Sequence, residues 1–216
     1  MAATERLAAT EGPVAAERPV LTERGRQTRL RIIEETGRQI LADGIGGTTL
    51  DTVRAATLTS KSQLFHYFPG GKAELVREVA QWEGLELFAA QEPEIHDLGS
   101  WGSWDRWRAG LEVYYFERGR WACPISTLAQ QSAPSDETLA ETTRQGVAAW
   151  AAMLAQGVGR MQTAGAIDPS VDAARVGTGI VAAIMGGLAL SQPERDGAPL
   201  AAALDLAFRG LRSLEV

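Results

Sequence analysis

The 216-residue chain has one cysteine, Cys123. No intrachain disulfide can form, and the composition is compatible with a reducing compartment, so a cytoplasmic protein is expected. Histidine is nearly as scarce. His66 and His96 are the only two, and without a Cys/His cluster neither a metal site nor a metal cofactor is expected. No stretch alternates apolar and polar residues with a period of two, so no strand is predicted. No apolar run reaches the roughly 20 residues that a membrane-spanning helix needs. The longest, Val176–Leu190, is rich in Gly and Ala and reads as a tightly packed helix. The N-terminus lacks the apolar core of a signal peptide. Gly177, Gly179, Gly186 and Gly187 fall within a helical pattern, where glycines serve close packing rather than a dinucleotide fingerprint. No phosphate-binding loop, nucleophile motif or acid–base pair is visible, so no enzyme and no cofactor are expected.

Positive charge is also in deficit, with 21 Lys/Arg against 27 Asp/Glu, but it is unevenly spread. Residues 24–77 hold nine Lys/Arg and five Asp/Glu, whereas residues 78–216 hold ten and eighteen. A basic segment joined to an acidic body suits a nucleic-acid module with a regulatory body. Residues 1–23 are rich in Ala, Glu, Thr and Pro and are predicted to form a disordered tail.

Apolar spacing predicts helices throughout. Helix 1 runs from about Gly25 to Ala42, with Leu30, Ile33, Gly37, Ile40 and Leu41 inward, and stops at Asp43-Gly44. Arg24, Arg26, Arg29 and Arg31 crowd its first turns, against the helix dipole, as expected of cations that face phosphates or form a solvated basic face. Helix 2 is capped by Thr48 or Thr49 and buries Leu50, Val53 and Thr57. Leu58-Thr59 form a turn. Ser60 caps helix 3, Lys61–Tyr67, which carries Lys61, Ser62, Gln63, His66 and Tyr67 on one side and Leu64 and Phe68 on the other. Pro69-Gly70-Gly71 ends it, and helix 4 opens at Lys72 and reaches about Gln91. Helix 5 follows Trp104, Trp107, Leu111, Tyr114 and Tyr115 to about Arg118. A short helix 6 covers 125–131. Helix 7 begins at a Ser135 cap and ends at Gly165. Helix 8 runs from about 170–172 to Ser191, and helix 9 from Ala198 to Leu214. The expected fold is all-α.

The stretch Thr48–Leu75, TTLDTVRAATLTSKSQLFHYFPGGKAEL, resembles the TetR family of bacterial transcriptional regulators. FPGGK at 68–72 and CPIS at 123–126 are similar to its LmrA/YxaF-like subgroup. The resemblance implies a helix-turn-helix DNA-binding domain at 24–72 and a helical ligand-binding and dimerisation domain at 73–216. It places Thr49 at the helix 2 cap, facing phosphate, and Ser60 at the helix 3 cap. Lys61, Ser62, Gln63 and His66 face the groove, and Tyr67 and Lys72 clamp the backbone, with Arg26 among the helix 1 cations. Gln63 suits an adenine edge and Lys61 guanine acceptors. Three positions depart from the pattern: Leu58 stands for the usual Gly, Thr59 for Val and Phe65 for Tyr. Leu58 is expected to distort the turn or adopt a strained left-handed conformation.

The resemblance also implies a ligand pocket in the body. Trp82, Phe88, Trp107, Leu111, Tyr114, Trp150, Met153 and Met161 are the candidates to line it, against the alternative that they are core, and they suit a small apolar or aromatic ligand. Predicted helix 8 is too apolar for a soluble monomer's surface, and helices 8 and 9 together are expected to pair two chains into a homodimer. The expected function is a dimeric repressor on a near-palindromic operator in double-stranded DNA, released by its ligand. The alternatives are a ligand-independent regulator or activator of the same fold, and an enzyme that retains an inherited head.

Overall fold

The computed structural model describes residues 21–117, 122, 127, 128 and 136–216. Most of the predicted tail, helix 6, Cys123 with its CPIS segment and the Ser135 cap lie outside the described residues. Among those described, the fold is all-helical, with an isolated bridge between Ile167 and Glu215 in place of any strand.

α1 (Glu23–Gly47) begins where the Thr22 hydroxyl accepts from the Gly25 N–H at 3.2 Å. The predicted stop at Gly44 is a kink rather than an end. Gly44 takes φ 75° and ψ 169°, and helical backbone resumes as far as Gly47. Only a residue without Cβ adopts that conformation readily. Ile33, Gly37 and Ile40 point inward as expected, but Leu30 is 42% exposed. Arg29 takes the inward place instead. Its guanidinium lies 5.3 Å from the Phe68 ring centre and pairs with Glu78 at 2.5 Å. Its long apolar stem covers the core while its charged end meets a carboxylate, so a cation fills the position expected of leucine. Arg29 therefore faces α4, not a phosphate.

α2 (Leu50–Thr57) and α3 (Lys61–Tyr67) each open with a capping box, Thr49 with Thr52 and Ser60 with Gln63. Each box satisfies two backbone donors that a helix start leaves without partners. Leu58, in the turn, adopts φ 52° and ψ 38° and is 92% exposed. Ile32, Ile40, Val53, Leu64 and Phe68 form the head's core together with Leu75 and Val79 of α4 (Gly71–Ala89). That core continues past residue 72 and also takes in Leu139.

A 3-10 turn (Glu94–His96) leads to α5 (Trp101–Glu112), which loosens into a π-helical turn over Val113–Glu117. Three helices complete the body: α6 (Glu137–Thr163), α7 (Ala173–Glu194) and α8 (Ala198–Arg212), which correspond to predicted helices 7, 8 and 9. Asp136 caps α6, accepting from the Leu139 N–H at 3.0 Å. Gly165, at φ 73°, follows its end, where the Ala166 N–H reaches the Met161 carbonyl. α7 packs along both α6 and α8. A Cβ at Gly177 would stand 2.4 Å from the Ala151 carbonyl oxygen, so the missing side chain sets how closely α7 approaches α6. At 22 residues α7 exceeds the predicted apolar run, and by length and composition alone it could cross a bilayer.

Candidate functional site

Leu64 is fully buried in the head's core, which turns the opposite side of α3 outward. Ser60, Lys61, Ser62, Gln63 and His66 are exposed on it. Gln63 is only partly available. Its Oε1 accepts from the Ser60 N–H at 3.0 Å, and its own N–H donates to the Ser60 hydroxyl at 3.1 Å. A backbone N–H requires an acceptor, so the carboxamide orientation is fixed and Nε2 remains as an outward donor. Tyr67 is half-buried, its ring edge-on to His66 at 5.1 Å. Its hydroxyl lies beside the start of α1, 3.7 Å from where a Gly25 Cβ would stand. Phe65 lies over the turn into α4, 3.7 Å from the Cβ position of Gly71.

Thr49 is exposed, and its hydroxyl accepts from the Thr52 N–H at 3.1 Å. Behind it runs a chain of side chains that sequence reasoning missed. Thr52 donates to Gln39 Oε1 at 2.7 Å, and Gln39 Nε2 donates to Glu35 at 2.7 Å. Arg38 closes the chain on Glu35 at 2.9 and 2.6 Å, and its hydrogen bond holds the Glu35 carboxyl below the usual carboxylate range. The signal available in sequence was weak: three polar residues on one α1 face near a Thr at the third position of α2. Lys72 is half-buried in the first turn of α4, where Glu74 accepts from the Gly70 N–H at 2.7 Å. Arg26 forks onto Glu23 and donates to the Leu21 carbonyl at 2.9 Å, so its guanidinium is engaged within the first turn of α1.

The eight body residues singled out in the sequence do not line one space. Trp107, Leu111, Tyr114, Trp150 and Met161 are at most 2% exposed, within the body core. Met153 packs against that core from its edge, while Trp82 packs against the head's core. Gln91, not anticipated from sequence, organises the centre. Its Oε1 accepts from the indole N–H of Trp107 at 3.0 Å and of Trp150 at 2.8 Å, and its Nε2 donates to the Leu87 carbonyl. Phe208 stacks on Trp107 with ring centres 6.2 Å apart. Phe88 borders an open cleft of about 360 Å³ between α4 and α6. On the body's outer face, α7 and α8 present a shallow apolar groove bordered by Gly179, Ala183, Gly186 and Leu190 and by Ala202 and Leu206. Leu190 and Leu206 are 68% and 67% exposed.

A family model described as the C-terminal domain of LmrA/YxaF-like transcriptional regulators matches residues 103–205. Among solved structures, a TetR regulatory protein from Rhodobacter sphaeroides superposes with a TM-score of 0.78 at 15% identity, covering 88% of this chain and 99% of that one. A TetR-family regulator from Agrobacterium tumefaciens gives 0.73 at 14% identity, covering 86% and 98%. A TetR regulator from Chloroflexus aurantiacus gives 0.71 at 19% identity, covering 90% and 98%. At these identities the likeness is one of fold. No curated protein matches the chain significantly.

Proposed function

We propose that this chain, which belongs to the TetR family of transcriptional regulators in its LmrA/YxaF-like branch, is a dimeric repressor that a small apolar ligand releases from its operator. The observation that carries the DNA-binding half is the outward side of α3. Five consecutive or near-consecutive polar residues are exposed along a helix that Leu64, fully buried, anchors to the head's core. In this reading α3 enters the major groove. Lys61, Ser62, Gln63 and His66 face base edges, while Thr49, Ser60, Tyr67 and Lys72 hold the phosphate backbone. Gln63 reads as a donor, through Nε2, because its oxygen is already bonded. Of the arginines in α1, Arg24 and Arg31 are exposed and suit phosphates better than Arg26.

The apolar groove on α7 and α8 supports pairing of two chains there into a four-helix bundle. Two heads would then meet half-sites about one helical turn apart on a near-palindromic operator. Residues 24–72 act as the DNA-binding unit and 73–216 as the ligand-binding and dimerisation unit, with α4 as the shared helix. Consecutive α4 residues support a transmission route: Arg77 pairs with Asp136 of the body at 3.2 Å, and Glu78 pairs with Arg29 of α1. A shift of α4 against α6 is thereby passed to the head. A second reading, a ligand-independent regulator, is favoured by the closure of Trp107 and Trp150 around Gln91.

Selection from random-sequence duplexes with the full chain tests the DNA-binding half. Enrichment of an inverted repeat is expected, and no enrichment at low salt would contradict it. Melting the chain against a panel of apolar small molecules separates the two readings: stabilisation by a compound that also dissolves the DNA complex is expected, and absence of any such compound favours the second.

A further inference from the structure

We propose that α3 selects guanine, not adenine, at the base beneath Gln63, and a second guanine beneath Lys61, because both side chains reach the groove as hydrogen-bond donors. The inference rests on the DNA-binding reading above and adds the bases that the helix accepts.

An unengaged glutamine recognises adenine with both ends of its amide: Nε2 donates to N7 while Oε1 accepts from the N6 amine. The amide of Gln63 is already engaged. Ser60 is the N-cap of α3, and no helical carbonyl is placed to accept its backbone N–H. Gln63 Oε1 supplies that acceptor at 3.0 Å. The Ser60 hydroxyl returns the contact by accepting from the Gln63 N–H at 3.1 Å. The two bonds support each other, so withdrawing the oxygen costs the helix its capping box. A chelated adenine needs that oxygen to leave Ser60, or to carry two donors at once beside its own backbone. Nε2 meets no such demand, and its two hydrogens are the part of the amide left for the groove.

The rest of the exposed side matches. Lys61 is exposed and has only donors. α3 contains no Asp or Glu, the side chains that accept from the cytosine amine. Ser62 and His66 can donate or accept, so they impose no opposite preference. In the major groove guanine presents two acceptors, N7 and O6, and no donor. Thymine presents one acceptor there, and adenine and cytosine each present an amine. Donors without a free acceptor beside them therefore match guanine best. Lys61 and Gln63 stand roughly 200° apart around the helix, so they reach different base pairs.

Parallel selection from random-sequence duplexes with the full wild-type chain and with Gln63→Glu tests the assignment. Glutamate keeps an acceptor for the Ser60 N–H, so the cap persists while the outward donor is lost. One position in each half-site is expected to lose its preference in the variant, and that position is expected to be guanine in the wild-type site. It is then replaced by 7-deazaguanine, which lacks N7, or by 2-aminopurine, which lacks O6. At least one of them is expected to weaken the wild type about fivefold or more beyond its effect on Gln63→Glu. Lys61→Met, which keeps the apolar stem and removes the donors, is expected to relax selection at a different guanine. Adenine at the Gln63 position, with binding that falls when its N6 amine is removed, overturns the donor assignment. So does thymine there, or a set of preferences that Gln63→Glu leaves unchanged. Relaxation at no guanine in Lys61→Met overturns the second contact. A wild-type chain that enriches no duplex contradicts the DNA-binding reading itself, and the inference falls with it.

Discussion

Gln63→Glu separates base reading from helix capping at one position. In the structure Gln63 Oε1 accepts from the Ser60 N–H while Nε2 points out as a donor. Glutamate keeps an acceptor for Ser60 and places a negative charge in the first turn of α3, which favours the helix by about 0.3–1 kcal/mol. It removes the outward donor and sets a carboxylate against DNA acceptors. One lost base contact is worth about 1–3 kcal/mol, or roughly 5- to 150-fold in affinity for the preferred site. Gln63→Ala removes both functions, so it adds a loss of stability of about 0.5–1.5 kcal/mol, the net worth of one hydrogen bond. Fluorescence anisotropy on the selected duplex, beside thermal melts of both variants, reads the two effects apart. The expected pattern is Gln63→Glu stable but weak-binding, and Gln63→Ala weak-binding and less stable. If Gln63→Glu binds the preferred site as wild type does, Nε2 donates to no base. If it weakens all sequences alike, the residue reads no base.

The other predictions concern the turn, the α1–α2 network and the dimer. Leu58→Gly relieves a left-handed conformation that costs a side-chain-bearing residue about 1–2 kcal/mol, offset by about 0.5–1 kcal/mol of glycine chain entropy. At 92% exposure little apolar burial is lost, so the melting temperature should hold or rise slightly, whereas Leu58→Ala, which keeps the strain, should change little; a drop of several degrees in Leu58→Gly would contradict the strain. Arg38 holds the Glu35 carboxyl below its usual range. Its contribution is therefore complete above the unfolded carboxylate's pKa of about 4.3 and is lost as pH falls through the lower folded value. Hydrogen exchange at α1 and α2 should accelerate over that acid window in the wild type more than in Glu35→Gln, and equal acceleration would remove Glu35 from the network. Gly186→Glu sets a charge in the α7–α8 groove at a position with no heavy atom within 4 Å of the new Cβ. Light scattering should report a folded monomer, and an intact dimer would place the interface elsewhere.

The helix starts were legible because capping is local. Thr49 and Ser60 precede apolar-periodic runs, and each finds its partner three residues on. The inward face of α1 was harder. Adjacent residues stand about 100° apart around a helix, and the arc set by the buried Ile32, Ile33, Thr36 and Ile40 takes in Arg29, whose guanidinium lies over Phe68, and leaves Leu30 exposed. Gln91 carried no signal because a lone polar residue near a helix end has no period, although two indoles, 16 and 59 residues further along the chain, both donate to it. Trp107 and Trp150 could be read only as apolar, and apolarity does not distinguish a filled core from a pocket wall. The cleft is made partly by what is missing, at Gly84 and Gly146, and the absence of a side chain leaves no pattern in a hydrophobic profile.

Hydroxyl-radical footprinting of the full chain on its selected duplex tests the central claim most directly. The account predicts two protected patches on one face, centred about one helical turn, roughly 10 base pairs, apart, both lost when a releasing ligand is added. A single patch, or two that persist unchanged in Gly186→Glu monomers, would contradict a paired α3 reader controlled from the body.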